Sequence, residues 1–151
     1  MATIKAVFQR VNNFYTSMDK ITIDVIKDNS KLILDENRSQ LFDGLDKEGK
    51  EIVNEQGGKY SPTTIIIKKE KGQPTDRVTL RDTGDWQDAM FLEVKGNEIL
   101  TDSSDWKTDE LLKKYDRNMN TILGIPETSK TKINSTLMDR LIFIFRQMTN
   151  L

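Results

Sequence analysis

The stretch that decides the fold is Arg77-Val-Thr-Leu-Arg-Asp-Thr-Gly-Asp85. Its apolar residues Val78 and Leu80 are typical of the end of a strand. A tight polar turn around Gly84 follows, because glycine takes positive φ values that other residues avoid. The chain then returns to the interior at Trp86. No catalytic set surrounds the outward-facing arginines and aspartates, so the stretch indicates contact with a partner chain before it indicates an active site.

Length and composition favour one domain over residues 1–151 that uses neither thiol nor imidazole chemistry. A chain of 151 residues can bury a core without metal or disulfides. Its 23 basic and 24 acidic residues give a net charge of −1, so no sequence-specific nucleic-acid partner is expected. The chain has no cysteine and no histidine, which excludes disulfides, thiolate zinc sites and the commonest general base. No cofactor is expected.

The apolar runs are too short for a membrane protein. None approaches the roughly 20 residues that cross a bilayer, and the start of the chain lacks the apolar centre of a signal peptide. We therefore expect a soluble protein made inside the cell, with no membrane partner.

Helical spacing of apolar residues appears at both ends of the chain. It runs from Ile4 to Met18 and again over about residues 22–41, where Asn29-Ser30 marks a possible break. Thr108 predicts the cap of a later helix that ends before Gly124. A final helix is predicted over about 132–149. The apolar side of the helix after Thr108 is Leu111, Leu112, Tyr115, Met119 and Ile122, and that of the final helix is Ile133, Leu137, Leu141, Ile144, Phe145 and Met148.

Between the helices, the sequence favours strands. The β-branched run over residues 63–69 predicts one strand, and residues 51–53 predict a short one. Residues 89–94 and 98–101 flank the turn signal Lys95-Gly96-Asn97, which predicts a hairpin. The sequence therefore predicts an α+β fold, an antiparallel sheet packed against helices, with helices at the N- and C-terminal ends.

Residues 43–61 predict a long extended loop, because this stretch is rich in Gly, Asp, Lys and Glu. It is polar and lacks core periodicity, so we expect that deleting residues 48–59 leaves a folded monomer that no longer joins particles. Residues 44–51 nearly fit the phosphate-binding G-x-x-x-x-G-K-[ST] loop, but Glu51 replaces the hydroxyl residue. The acidic residues Asp43, Asp46 and Glu48 lack the spacing of a calcium loop.

One pattern hints at an enzyme. Glu93-Val94-Lys95 follows Asp82, Asp85 and Asp88, and magnesium nucleases of the restriction-endonuclease type place an aspartate before Glu-x-Lys. Asp82 or Asp85 with Glu93 would hold Mg²⁺, and Lys95 would stabilise the developing charge. The simpler interpretation is that Glu93 and Lys95 are solvent-facing residues around Val94.

Several motifs together resemble a known family. Gln40-Leu-Phe-Asp-Gly-Leu-Asp-Lys-Glu-Gly-Lys50 is similar to the Q-x-x-x-G-x-D-x-x-G-K segment of tailed-phage virion-morphogenesis and tail-completion proteins. Leu80-Arg-Asp-Thr-Gly-Asp-Trp86 resembles their L-x-x-T-G-x-aromatic element. The stretch 105–115 resembles the later D-x-K-T-x-x-L-x-x-K-Y-G segment of relatives from phages of Bacteroides-type hosts, although Asp116 replaces its glycine. The likeness covers about residues 40–125.

This resemblance implies a structural virion protein of a tailed bacteriophage, part of the neck, head-tail connector or tail-completion ring. Its partners would be copies of itself, in rings of six or twelve, together with portal and tail proteins. It implies no catalytic residue, so we expect a protein that is not an enzyme. Its location would be the virion, and the host cytoplasm during assembly. A magnesium nuclease is the alternative, and an adaptor of the host cell is a third possibility.

We expect the subunit interface to involve the loop over residues 43–61 and the turn over residues 77–86. Charge pairs in such contacts set orientation and specificity more than affinity. The predicted interface residues are Asp43, Asp46, Lys50, Tyr60, Arg77, Arg81, Asp82, Asp85 and Trp86.

Overall fold

A computed structural model describes residues 3–96, 98–115 and 121–151. Within these ranges the protein has seven helices and a two-stranded antiparallel sheet, so the α+β fold with N- and C-terminal helices is confirmed. Three residues used in the sequence analysis, Asn97, Asp116 and Met119, lie outside the described residues.

The helices are α1 (Ile4–Thr16), α2 (Met18–Asp28), α3 (Ser30–Phe42), α4 (Pro62–Glu70), α5 (Asp85–Asp88), α6 (Thr108–Tyr115) and α7 (Glu127–Thr149). The strands are β1 (Met90–Lys95) and β2 (Glu98–Ser103), which form the predicted hairpin. Its register pairs Met90 with Ser103 at one end and Lys95 with Glu98 at the other.

The chain forms two compact units. Unit 1 consists of Met1–Lys31 and Thr131–Leu151, and unit 2 consists of Leu32–Lys130. The expectation of one domain over residues 1–151 stays a prediction.

Unit 1 is helical, and few of its side chains are buried. Phe14 of α1 meets Phe145 of α7 edge to face, with ring centroids 5.0 Å apart. The break predicted at Asn29-Ser30 is confirmed, because α2 ends at Asp28 and α3 begins at Ser30. The Asn29 side chain donates a hydrogen bond to the Val25 carbonyl, which lies 2.8 Å away and helps to end α2.

Unit 2 holds the main hydrophobic core, formed by residues from helices, the hairpin and irregular segments. Buried Asn37 of α3 fixes the chain near residue 122, because its side chain donates to the Ile122 carbonyl and accepts from the Gly124 amide. The core residues are Leu34, Leu41, Ile52, Val78, Leu80, Trp86, Met90, Tyr115 and Ile122.

The predicted strand end at residues 78–80 is wrong. Val78, Thr79 and Leu80 are buried but belong to no strand. Their buried backbone still needs hydrogen-bond partners. Side chains provide them: the Thr79 amide donates to the Tyr60 hydroxyl at 2.8 Å, and the Thr79 carbonyl accepts from the Gln87 side chain at 2.9 Å. Val78 and Leu80 are apolar because they are buried, and burial outside a strand produces the same sequence pattern as a strand end.

The strand predicted over residues 63–69 is also wrong, since this run lies in α4. Ser61 caps the helix by accepting from the Thr64 amide at 3.3 Å, and Pro62 occupies the first turn. Serine before proline is a strong helix-start signal, because proline has a suitable φ and needs no hydrogen-bond acceptor there. These two residues override the β-branched preference of the run.

Smaller differences concern the ends of elements. Glu51 forms a single bridge with Leu45, and no strand covers residues 51–53. The helix that begins at Thr108 is described over Thr108–Tyr115, and Ile122 lies in a bend rather than in a helix. The last helix begins at Glu127, directly after Pro126, so this proline precedes a helix start.

Residues 43–61, all of them described, contain turns and one isolated bridge, and they are tied to the rest of unit 2. The Asp46 carboxylate accepts from the Glu48 and Lys50 amides at 2.9 and 2.8 Å. Ile52 is 3% exposed and belongs to the core. The stretch is therefore tied to unit 2 rather than a free arm. That residues 48–59 can be removed without loss of the fold stays a prediction, and the burial of Ile52 argues against it.

Replacing Ile52 by alanine should lower the free energy of unfolding by about 3 kcal/mol, because it leaves a cavity in a packed core. Chemical denaturation monitored by circular dichroism measures this loss. Glu55→Ala, at an exposed position of the same loop, is the matched control and should change stability by less than about 0.5 kcal/mol. Equal stability of the two variants would contradict the placement of Ile52 in the core.

Gly44, at the start of the loop, packs closely against the side chain of Arg77. Its φ is +74°, and a Cβ added there would lie 2.7 Å from Arg77 Cβ. Gly49 has a similar φ of +78° with open space around it. Gly44→Ala should therefore cost about 2 kcal/mol or more, from backbone strain plus overpacking, and Gly49→Ala about 1 kcal/mol from strain alone. Thermal and denaturant unfolding of both variants compare the two costs, and a reversed order would contradict the contact.

Candidate functional site

Four of the nine predicted interface residues meet in one groove of unit 2. This aromatic groove is lined by Tyr60, Trp86 and Tyr115 together with Leu80, and it encloses about 160 Å³. Arg81 and Asp82 lie on the same groove, as do Lys68 and Lys107. Aromatic walls beside several cations make it the most chemically distinctive site among the described residues.

Hydrogen bonds hold the aromatic walls in place. The Tyr60 hydroxyl accepts from the Thr79 amide, as described above. The Trp86 indole donates to the Thr108 hydroxyl at 3.0 Å, and that hydroxyl is positioned to donate to the Ser103 and Asp105 carbonyls at 3.0 and 2.7 Å. Burial raises the pKa of the Tyr115 hydroxyl, and its proximity to Tyr60 adds to the effect. These hydrogen bonds fix the positions of Tyr60 and Trp86 in the groove wall.

The backbone at Leu80 is strained. Its φ is +49°, a left-handed value that side chains with a Cβ rarely adopt, at a cost of about 1 kcal/mol. Buried apolar contacts hold the residue in this conformation. Just beyond this bend, the Arg81 carbonyl accepts a hydrogen bond from Lys68. Strain that the surrounding structure maintains often occurs at functional sites.

Lys68 is a buried cation with neutral partners. Lys68 lies on α4, and the residue is 6% exposed. Its ammonium group donates to the Arg81 carbonyl at 2.7 Å and to the Gln73 side chain at 3.0 Å, and lies 4.8 Å from the centre of the Tyr60 ring. Its positive charge is therefore solvated by dipoles and a π face rather than neutralised by a carboxylate.

The charged groups along the groove are mostly positive. Asp82 is held by Lys71, whose hydrogen bond keeps the pKa of the Asp82 carboxyl below its usual value. Among the described residues, neither Arg81, Lys107 nor Lys68 forms an ion pair. The groove consequently presents three cations outside any ion pair and one carboxylate, that of Asp82. This carboxylate pairs with Lys71 and also interacts electrostatically with Lys107 and Lys68.

The other predicted interface residues lie elsewhere. Asp43 and Asp46 line a separate cavity of about 250 Å³. Lys50 pairs with Glu48 at 2.6 Å. The Arg77 guanidinium donates to the Phe42 carbonyl at 2.8 Å. The last residue, Asp85, accepts from the Thr83 hydroxyl at 2.6 Å, next to the groove.

The ligand motifs of the sequence have local partners in the structure. The amides of Glu48 and Lys50, which a phosphate loop would offer to its ligand, donate to Asp46 instead. Glu93 pairs with Lys95 at 2.9 Å. The part of the chain that the structure describes brings no three acidic side chains together around a possible metal position.

The apolar stripe of α1 faces outward, which its spacing in the sequence does not reveal. Ile4 is 90% exposed, and Phe8 and Tyr15 are each 72% exposed. The buried residue of α1 is Phe14, which lies off this stripe. Periodicity identifies an apolar face but not what covers it, so only the structure reveals the exposure. Of the helices in the described ranges, none is both long and apolar enough to cross a membrane.

No protein-family model, curated protein or solved structure matches this chain. A functional assignment therefore depends on the chemistry of the aromatic groove and of unit 1.

Tyr60→Phe should destabilise the protein by about 1–3 kcal/mol, because it leaves the buried Thr79 amide without its acceptor. Tyr15→Phe removes the same hydroxyl from an exposed tyrosine and should have almost no effect. Denaturant unfolding of both variants makes the comparison. Hydrogen exchange at the Thr79 amide should accelerate in Tyr60→Phe alone, and unchanged protection would contradict the assigned bond.

Proposed function

We propose that this chain is a structural subunit of a tailed-phage virion, part of the neck, connector or tail-completion ring, and that it works by docking to copies of itself and to adjoining layers. The observation that carries the self-docking role is the exposed apolar face of unit 1. The assignment to a phage neck or tail ring is supported by the resemblance over residues 40–125.

The apolar face is the exposed stripe of α1, and α7 of the same unit carries further exposed apolar residues. On α1, Ile4, Phe8 and Tyr15 are spaced by four and seven residues, so they lie along one stripe. On α7, Met138 and Ile142 are exposed one turn apart. Monomeric proteins seldom leave large contiguous apolar surfaces in water, and such surfaces commonly bind other proteins. The face therefore supports a function based on protein contacts.

Charge favours a head-to-tail contact between copies. Unit 1 has eight Lys and Arg against four Asp and Glu, a net charge of +4, while unit 2 has fifteen against twenty, a net charge of −5. Docking of unit 1 on unit 2 of another copy joins opposite charges, whereas pairing of two copies of unit 1 joins like charges. A head-to-tail contact repeats, and it closes into a ring when its rotation permits.

Two motifs of the resemblance have a structural rationale in this chain. Gly44, the first motif glycine, has a positive φ and abuts Arg77, so a larger residue does not fit there. Leu80 and Trp86, the ends of the second motif, both line the aromatic groove. The motifs thus fall at positions where local geometry restricts the residue, which supports a shared fold with the family that they resemble.

Sedimentation velocity and native mass spectrometry test the assembly role. The wild-type chain should form oligomers whose population falls with added salt, because charge steers the contact. Phe8→Asp places a charge on the apolar stripe and should shift the chain to monomers. Gln9→Asp adds the same charge at the neighbouring exposed position of α1, and it should leave the oligomers in place.

A monomeric wild-type chain at every concentration, or equal behaviour of the two variants, would overturn the assembly role. The phage assignment has its own test, which is mass spectrometry of purified particles from the phage that encodes the chain. Its recovery in stoichiometric amounts is expected, whereas its absence from particles would favour the adaptor of the host cell.

A further inference from the structure

We infer that the aromatic groove of unit 2 is a docking site for a segment of a partner protein that carries an apolar side chain next to a carboxylate. This inference deepens the proposed assembly role, on which it rests, by assigning the partner's chemistry. The groove is a different surface from the apolar face of unit 1.

The size of the groove points to one anchoring side chain. Pockets for cofactors and drug-sized ligands commonly enclose about 300–1,000 Å³, whereas this groove encloses about 160 Å³. Its apolar lining includes Leu80, Trp86 and Leu111. A single aliphatic or aromatic side chain gains most from such a space, because it is desolvated on several sides.

The positive charges of the groove favour an acidic residue next to the anchoring side chain of the partner segment. Arg81 and Lys107 form no ion pair among the described residues, and Lys68 adds a buried positive charge. Asp82 offers little repulsion, since Lys71 already pairs with it. A carboxylate beside the anchor would complete a charge-assisted contact that the free protein lacks.

A nucleic acid fits these observations less well. Trp86 and Tyr115 line the groove but are only 4% and 9% exposed, which leaves too little ring surface for a base to stack on. Unit 2 as a whole has a net charge of −5, which repels a polyphosphate chain. One carboxylate can use the local cations without bringing a long run of negative charge.

The exposed stripe of another copy's α1 is also a poorer occupant. The only charged residues of α1 are Lys5 and Arg10. A basic helix would meet the three cations of the groove and gain no ion pair there. The occupant is therefore assigned to a protein of an adjoining layer rather than to a second copy of this chain.

Fluorescence titration tests this assignment in full-length protein. Trp106→Phe leaves Trp86 in the groove as the reporter, and phenylalanine keeps an aromatic ring for Lys107, whose ammonium group lies 5.3 Å from the centre of the Trp106 ring. The probes are blocked peptides with the central sequences Asp-Leu-Asp, Asp-Ala-Asp and Lys-Leu-Lys, together with a peptide of the α1 sequence. Asp-Leu-Asp should bind at least about fivefold tighter than each of the others, which is about 1 kcal/mol, and its affinity should fall with salt.

Two variants separate binding from folding. Lys68→Met removes the buried charge and should weaken binding of the Asp-Leu-Asp peptide. Lys69→Met, at the next and exposed position of α4, should leave that binding unchanged. If Lys68→Met fails to fold, Lys107→Gln tests the same charge requirement, with Lys113→Gln on α6 as its control.

Equal binding of all four peptides, preference for the α1 peptide, or no effect of either groove variant would overturn the inference. Oligomers that form normally while Asp-Leu-Asp fails to bind would reject this docking site and leave the assembly role standing. A chain that binds Asp-Leu-Asp but stays monomeric would instead reject the assembly role.

Discussion

The structure of unit 2 depends on how one buried stretch without regular structure satisfies its hydrogen bonds. Val78–Leu80 crosses the core outside any strand, so no neighbouring strand can pair with it. The Thr79 amide donates to the Tyr60 hydroxyl, and the Thr79 carbonyl accepts from the Gln87 side chain. Two residues further on, the Arg81 carbonyl accepts from Lys68. Polar side chains here satisfy the buried backbone groups that a neighbouring strand would satisfy in a sheet. The same side chains shape the aromatic groove, so the fold and the candidate site share their supports.

Units 1 and 2 use their apolar residues in different ways. Unit 2 buries a continuous cluster that includes Leu41, Ile122 and Trp86. In unit 1, side chains such as Ile4 and Phe8 lie in water, although they form a regular helical stripe. An apolar stripe has the same pattern whether its own chain or another chain covers it. The contrast between the units is the physical basis for the proposal that unit 1 mediates assembly and that unit 2 binds a partner segment.

The sequence predicts those elements whose structure depends on interactions between neighbouring residues. The break at Asn29 and the hairpin around Gly96 depend on neighbouring residues, and both were predicted. The strand predicted over residues 63–69 failed because a cap and a proline outweighed β-branched preference. Four predicted interface residues line the groove, but Lys68 did not appear among them. Its burial arises from a contact thirteen positions along the chain, which no local pattern reveals.

The contact between Gly44 and Arg77 has a consequence for inheritance. The two residues stand 33 positions apart, yet the space that one leaves is filled by the side-chain stem of the other. The nearest atom is the Arg77 Cβ, which every residue except glycine carries, so a larger residue at position 44 requires the backbone at position 77 to move. Glycine at position 44 should therefore persist among descendants that keep this fold, whichever side chain stands at position 77.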